Sequence, residues 1–198
     1  MAKKILIGVP AAIALLVLGF VAIVAMRPNE FRVSRSATMA APADRVFAQV
    51  NDFHKWNDWS PWAKLDPNAK NTFEGPEAGE GATFGWSGND QVGEGKMTIT
   101  ESKPSELVRL KLTFIKPMED TSDTEFNFKP NGDRTTVTWT MSGTYKDFMS
   151  KAICMCMNMD KMMGEKFDEG LASIKAIVEK PEATTEPGAA EPQTKSES

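Results

Sequence analysis

The hydrophobic and polar positions divide the chain into three parts. Residues 5–26 contain no charged side chain, and only two glycines and one proline interrupt the apolar residues. As a helix this run would be about 33 Å long, which matches a hydrocarbon core of about 30 Å. Residues 27–178 mix apolar and polar positions as a globular domain does, and residues 179–198 are rich in Pro, Glu, Thr and Ser. We therefore predict a transmembrane anchor over 1–26, a domain over 27–178 and a disordered acidic tail over 179–198.

The apolar leader has a second interpretation, a cleaved signal peptide with Lys3 and Lys4 as its basic start. The run is longer than the usual ~7–15 apolar residues of such a peptide. Cleavage after Ala25 would also place Ile23 where a small residue is required. We therefore expect a single-pass membrane protein. Because the short N-terminal tail is basic, the domain is expected on the non-cytoplasmic side.

The domain opens with one strand and two short helices. Alternation predicts a strand over residues 31–39, and apolar positions at helical spacing predict a helix within residues 42–52. Three aromatic residues at steps of three then predict a second short helix over residues 53–59, which ends before Pro61. Three of the five tryptophans fall within the seven residues 56–62.

The middle of the domain reads as an antiparallel meander. Apolar and polar residues alternate in short runs separated by Gly, Pro, Asn and Asp, as in Val108, Leu110 and Leu112. Asn131-Gly132 between two such runs predicts a hairpin. About six strands are expected, in the runs NTFEG, GATFGWSG, GKMTITESKP, ELVRLKLTFIKP, TEFNFKPNGD and RTTVTWTMSGTY.

The domain closes with a long amphipathic helix. Apolar residues recur every three or four positions from Asp147 to Val178 and predict one continuous helix of about 48 Å. Gly164 and Gly170 favour a bend or a close approach to the sheet. A single helix laid across an antiparallel sheet would bury both apolar faces.

This order of elements resembles the helix-grip fold. The segments FHKWNDWSPWAKLDP and EGPEAGEGATFGWSG, followed by the strand runs and FDEGLASIK, are similar to the START-related SRPBCC superfamily, in its polyketide cyclase/dehydrase and lipid-transport branch. The resemblance covers residues 31–178 and implies an α+β fold, a curved sheet of about seven strands wrapped on the C-terminal helix. It also implies a deep cavity that takes lipids, sterols, polyketides or other hydrophobic small molecules. No catalytic motif comes with it.

We therefore expect a hydrophobic small molecule or a lipid as the partner, bound between the sheet and the long helix. One alternative is an enzyme of the cyclase type, which would need His54 or a buried carboxyl group of raised pKa within the cavity. Another is an interaction module whose cavity is filled by its own side chains. The candidate ligand-cavity residues are Trp86, Leu112, Phe114, Phe126, Phe128, Trp139, Met159, Met163 and Phe167.

The net charge and the counts of histidine and cysteine limit which ligands the protein is expected to bind. With a net charge of −4, the chain lacks the excess of basic residues that is typical of a nucleic-acid-binding protein. A single histidine excludes a site with several histidine ligands in one chain, and no cofactor is expected. Cys154, Cys156 and the methionines around them could select Cu(I), but consecutive residues of a helix point in different directions. We favour an adaptable apolar wall over a metal site, and protein partners stay open.

Overall fold

The computed structural model describes residues 2–181, with side chains from residue 12 onward. The predicted acidic tail therefore lies outside the described residues from 182 onward. Five α-helices and seven β-strands follow one another, with one 3₁₀ turn at Phe53–Lys55. The elements are α1 Ala2–Met26, β1 Glu30–Met39, α2 Ala43–Asn51, α3 Trp56–Trp59, β2 Lys70–Glu74, β3 Thr83–Ser87, β4 Glu94–Lys103, β5 Leu107–Lys116, β6 Asp120–Asn131, β7 Arg134–Thr144, α4 Phe148–Met157 and α5 Met159–Val178.

The seven strands form one antiparallel sheet in the order β1-β7-β6-β5-β4-β3-β2. Neighbours from β2 to β7 are consecutive in the chain, which confirms the predicted meander, and β1 pairs with β7 at the far edge. The predicted hairpin at Asn131-Gly132 joins β6 to β7, with Gly132 at a φ of 64°. This left-handed conformation is the one that a two-residue hairpin turn requires and that glycine adopts without a steric penalty.

The two faces of the sheet differ as their alternation predicts. The inner face carries large apolar side chains that pack against α5, α2 and α3, and Phe126 and Val137 there are fully buried. The outer face between β1 and β7 carries a ladder of hydroxyl pairs. These pairs are Ser34 with Thr140 at 2.9 Å, Ser36 with Thr138 at 2.8 Å and Thr38 with Thr136 at 2.9 Å.

The C-terminal helix is broken, which corrects the prediction of one continuous helix. Asn158 separates α4 from α5 and has a φ of 49° and a ψ of 63°. A helix cannot continue through this left-handed conformation, and asparagine is one of the few residues that tolerates it. The Asn158 side chain also accepts a hydrogen bond from the Lys161 backbone N–H at 3.3 Å, so it caps α5.

The two glycines of α5 mark close approaches to other side chains. A Cβ added at Gly170 would lie 2.8 Å from Cζ3 of the buried Trp139 ring, and one at Gly164 would lie 1.9 Å from the Arg35 guanidinium. Arg35 in turn bonds Asp160 and contacts Asp168, both on α5. The glycines therefore let α5 lie directly on β1 and β7.

The prediction of a membrane anchor is corrected by the structure. Over the part of the chain that the structure describes, no helix is both long and apolar enough to cross a membrane. This finding overturns the transmembrane helix over residues 5–26. It also overturns the single-pass localisation with the domain on the non-cytoplasmic side.

Substitution of Gly170 by alanine tests the contact between α5 and Trp139. The added methyl group would overlap a ring that is held on both faces, so we expect Gly170→Ala to lower the free energy of unfolding by about 1–2 kcal/mol despite the better helix propensity of alanine. Gly164→Ala is the matched control in the same helix, because its methyl group meets the end of a flexible arginine. Urea unfolding should show a smaller loss for this control, because the arginine side chain can move aside, and equal stability of the two variants would contradict the packing described here.

Substitution of Asn158 tests the helix break. Asn158→Ala loses the cap and places a Cβ in the left-handed region, so we expect a loss of about 1–2 kcal/mol in the free energy of unfolding. Asn158→Gly keeps the backbone conformation available and should cost only about 0.5 kcal/mol. If alanine were tolerated better than glycine in chemical denaturation, α4 and α5 would form a continuous helix in solution.

Candidate ligand cavity

A cavity of about 520 Å³ lies between the inner face of the sheet, α5 and the residues that follow α3. Its walls are Leu110 and Leu112 of β5, Trp139 of β7, and Met163 and Phe167 of α5. The segment 60–71, here called the rim segment, borders its opening. A volume of this size, apolar walls and an opening between secondary-structure elements are typical of small-molecule sites.

Trp139 holds the centre of this arrangement. Its ring stacks on Phe167 of α5 with centroids 4.1 Å apart and an interplanar angle of 10°. Its other neighbour is Phe126 of β6, at 4.7 Å and 29°. Trp59 and Trp62 approach it edge-on at 5.7 Å and 6.0 Å. Offset and edge-to-face contacts of this kind stabilise aromatic clusters beyond the area that they bury.

The structure brings six of the nine predicted cavity residues to the wall. These are Trp86, Leu112, Phe114, Trp139, Met163 and Phe167. Phe126 and Phe128 lie in the buried core, where Phe126 stacks on Trp139 and Phe128 contacts Phe47. Met159 is the first residue of α5. Contact with a ligand stays a prediction for all nine.

The tryptophans contribute to both the core and the cavity wall. Trp56 and Trp59 are buried, and their indole N–H groups donate to the backbone carbonyls of Val50 at 2.9 Å and Gln49 at 3.0 Å. These contacts tie α3 to α2. Trp62 and Trp86 are half-buried and line the cavity, and the Trp86 N–H donates to a backbone carbonyl at 3.0 Å. Trp56 lines the cavity as well, so the same side chain serves both the core and the wall.

Charged groups stand at the opening of the cavity. Lys116 lines it from the end of β5, is exposed, and lies 2.8 Å from a carboxylate oxygen of Glu94. The hydrogen bond to Glu94 raises the pKa of the Lys116 ammonium group. Asp66 of the rim segment accepts a hydrogen bond from the Asn89 backbone N–H at 2.7 Å. Lys116 is thus paired, and the Asp66 carboxylate helps to hold the rim in place.

Sequence reasoning missed part of the wall. Met97 and Met141 line the cavity together with the buried Thr124. Each lies on the inward face of its strand, so the alternation used for the other strand positions could have found them. The contribution of the rim segment, such as Ser60 and Ala63, had no periodic signal, because it follows from where the loop crosses the sheet.

The residues on which the alternative chemistries depend lie at separate places in the fold. His54 is half-exposed, bonds Asp52 at 3.1 Å through Nδ1 and stacks on Phe73 at 4.2 Å. It does not contribute to the cavity wall. Within residues 2–181, no group of three or more His, Cys, Asp or Glu side chains could hold a metal ion. Of the Met-rich segment, Met163 lines the cavity, whereas Met157 is exposed on α4.

Comparisons with solved structures identify the fold. A protein from Chromobacterium violaceum matches with a TM-score of 0.54 and 15% identity, covering 78% of this chain and all of its own. A protein from Nitrosospira multiformis matches with a TM-score of 0.55 and 19% identity over 75% of this chain and 96% of its own. A protein from Arthrobacter aurescens matches with a TM-score of 0.52 and 20% identity, covering 75% of this chain and 87% of its own. All three share the fold of this chain.

The family comparison covers the same region. No protein in the curated set matches the chain. The sequence description of the family "Polyketide cyclase / dehydrase and lipid transport" matches residues 30–179, which is the whole helix-grip domain. Its limits coincide with the start of β1 and the end of α5. The chain therefore belongs to the polyketide cyclase/dehydrase and lipid transport family of the SRPBCC superfamily.

Proposed function

We propose that this protein binds a hydrophobic small molecule or a lipid in the cavity between its sheet and α5, and shelters it from water. The observation that carries this proposal is the 520 Å³ cavity itself, whose deep walls are aromatic, leucine and methionine side chains. The charged residues of the cavity wall, such as Lys116 and Asp90, are exposed at the opening. The family to which the chain belongs agrees with such a ligand class.

The apolar walls can supply enough free energy for binding. Burial of apolar surface contributes about 25 cal/mol per Å², so a ligand that buries about 400 Å² gains about 10 kcal/mol. Lost translational and rotational freedom costs at least about 4 kcal/mol. The difference corresponds to a dissociation constant of the order of tens of micromolar. Polar contacts then determine which apolar molecule binds best.

The enzyme alternative requires a carboxyl group of raised pKa among the apolar walls. Within the described residues, every carboxyl group whose pKa is shifted has it lowered, and none of these groups lines the cavity. The groups are Glu101, Glu125, Asp147, Glu169 and Glu179. In Glu169, for example, hydrogen bonds from Lys166 and Lys64 stabilise the carboxylate and lower its pKa. Binding is therefore the better supported function.

The interaction-module alternative requires a cavity that is filled by the protein's own side chains. Met163, Phe167 and Trp139 do project to the wall, but they leave about 520 Å³ between them. That volume favours a bound molecule over a closed core, since protein interiors otherwise hold few voids larger than a water molecule.

Binding of a neutral apolar probe tests the proposal. N-phenyl-1-naphthylamine fluoresces strongly in apolar surroundings, and we expect it to bind the full chain with a dissociation constant of the order of tens of micromolar. Leu112→Trp places a larger ring in the cavity and should weaken binding at least about fivefold, a loss of about 1 kcal/mol. A fluorescence titration measures both constants.

The matched control is Thr113→Trp, which adds the same ring to the outer face of the same strand. Exposed apolar side chains of α1, such as Leu15 and Leu16, will also take up some probe. The comparison of Leu112→Trp with Thr113→Trp isolates the cavity from this background. Equal binding by both variants, with melting temperatures like that of wild type, would show that the probe does not enter the cavity and would refute the proposal.

A further inference from the structure

The indole N–H of Trp139 is a buried donor with no acceptor. Within the described residues, it is one of two buried side-chain polar atoms that lack a hydrogen-bond partner, and the other is Oγ of Ser122. Trp139 is 3% exposed. By contrast, Trp56, Trp59 and Trp86 each donate to a backbone carbonyl at 2.9–3.0 Å. Native proteins pair nearly all such groups, so an unpaired one calls for an explanation.

The surroundings of Trp139 show which edge of its ring faces α5. Phe126 and Phe167 hold the two faces of the ring. The edge that carries Cζ3 faces Gly170 of α5, where an added Cβ would lie 2.8 Å away. Nε1 lies on the opposite edge of an indole, so the N–H points away from the backbone of α5. The same ring forms part of the cavity wall, although Nε1 itself is covered by its neighbours.

The two unpaired groups differ in position. Ser122 pairs with Leu112 in the register of β5 and β6, but it is not part of the cavity wall, whereas Trp139 is. Between them along the inner face stand Thr124 and its β7 partner Met141, which both line the cavity. Ser122 therefore provides a natural control: it is an unpaired buried hydroxyl in the same sheet, outside the wall.

Two adaptable side chains share the cavity wall with Trp139. Nε1 of Trp139 is screened from solvent in the structure, so an incoming oxygen reaches it only when a neighbour moves. Met141 lies two residues further along the same face of β7, and Met163 lies one turn before Phe167 on α5. Methionine has three rotatable bonds and repacks at low cost, so these side chains can open the path.

We propose that the ligand of this cavity is a neutral apolar molecule that carries a carbonyl oxygen, such as a ketone, an aldehyde or an ester, and that the indole N–H of Trp139 donates to this oxygen. This inference rests on the proposed function. The ligand is neutral because the charged groups of the wall are Asp66, Asp90 and Lys116, which stand at the opening. A carboxylate at the depth of Trp139 would lose its hydration without gaining a cation.

A pair of matched probes tests the inference. 1-Tetralone and tetralin have the same bicyclic shape, and only the first carries a carbonyl oxygen. We expect 1-tetralone to bind the full chain about three- to tenfold more tightly, the range of one net hydrogen bond. In protein labelled with ¹⁵N at the tryptophan indoles, 1-tetralone should move the Trp139 N–H signal to lower field. Tetralin should not, and it controls for effects of the ring system.

Two variants separate the effect of the Trp139 hydrogen bond from the effect of ring packing. Trp139→Phe should bind both probes with equal affinity, because the ring contacts remain and the donor is gone. Ser122→Ala should keep the preference for 1-tetralone. The Trp139 signal can be assigned through its contacts with the Phe167 ring, so the wild-type spectra decide the question even if Trp139→Phe does not fold.

The possible outcomes distinguish this inference from the function on which it rests. If both probes bind equally and the Trp139 signal stays in place, the cavity binds apolar molecules and the assignment of the donor is wrong. The same result would arise if a buried water occupied the N–H permanently. If neither probe binds and N-phenyl-1-naphthylamine also fails to bind, both the proposed function and the inference are wrong.

Discussion

The stack of Trp139 between Phe126 and Phe167 is the contact on which the rest of the domain depends. It joins β6, β7 and α5 at one point, and the rings are close enough that only a glycine fits at position 170. The short helix α3 adds Trp59 to the edge of the same cluster. Because the middle of α5 is fixed to the sheet in this way, the space beside the stack can stay open as a cavity without loss of the core.

The start of α5 is held by polar contacts instead of apolar ones. Arg35 of β1 reaches into the gap left by Gly164 and bonds Asp160, with Asp168 also near it. Asn158 ends α4 just before this point, so α4 is not required to continue along the axis of α5. The result is a helix with a firmly packed C-terminal half, while Met163 at its other half lines the cavity.

Apolar and charged side chains occupy different parts of the cavity. Apolar rings and methionines form the deep wall, and paired or exposed charges stand at the opening, where water can still hydrate them. A site of this kind gains affinity from buried area and selectivity from its few polar groups. In this protein the unpaired N–H of Trp139 would gain a hydrogen bond from a ligand oxygen, because no acceptor in the described structure lies within hydrogen-bonding distance of it.

Local periodicity was sufficient to predict the strands, the short helices, the hairpin at Asn131-Gly132 and the apolar face of α5, because these depend on which residues alternate along the chain. It could not predict the break at Asn158, where one residue adopts a left-handed conformation within an apolar stripe that runs through it. The anchor predicted from hydropathy alone was overturned by the structure. The cavity wall from the rim segment and the pairing state of each tryptophan were decided only by the tertiary structure, because they depend on which distant backbone atoms come within bonding distance.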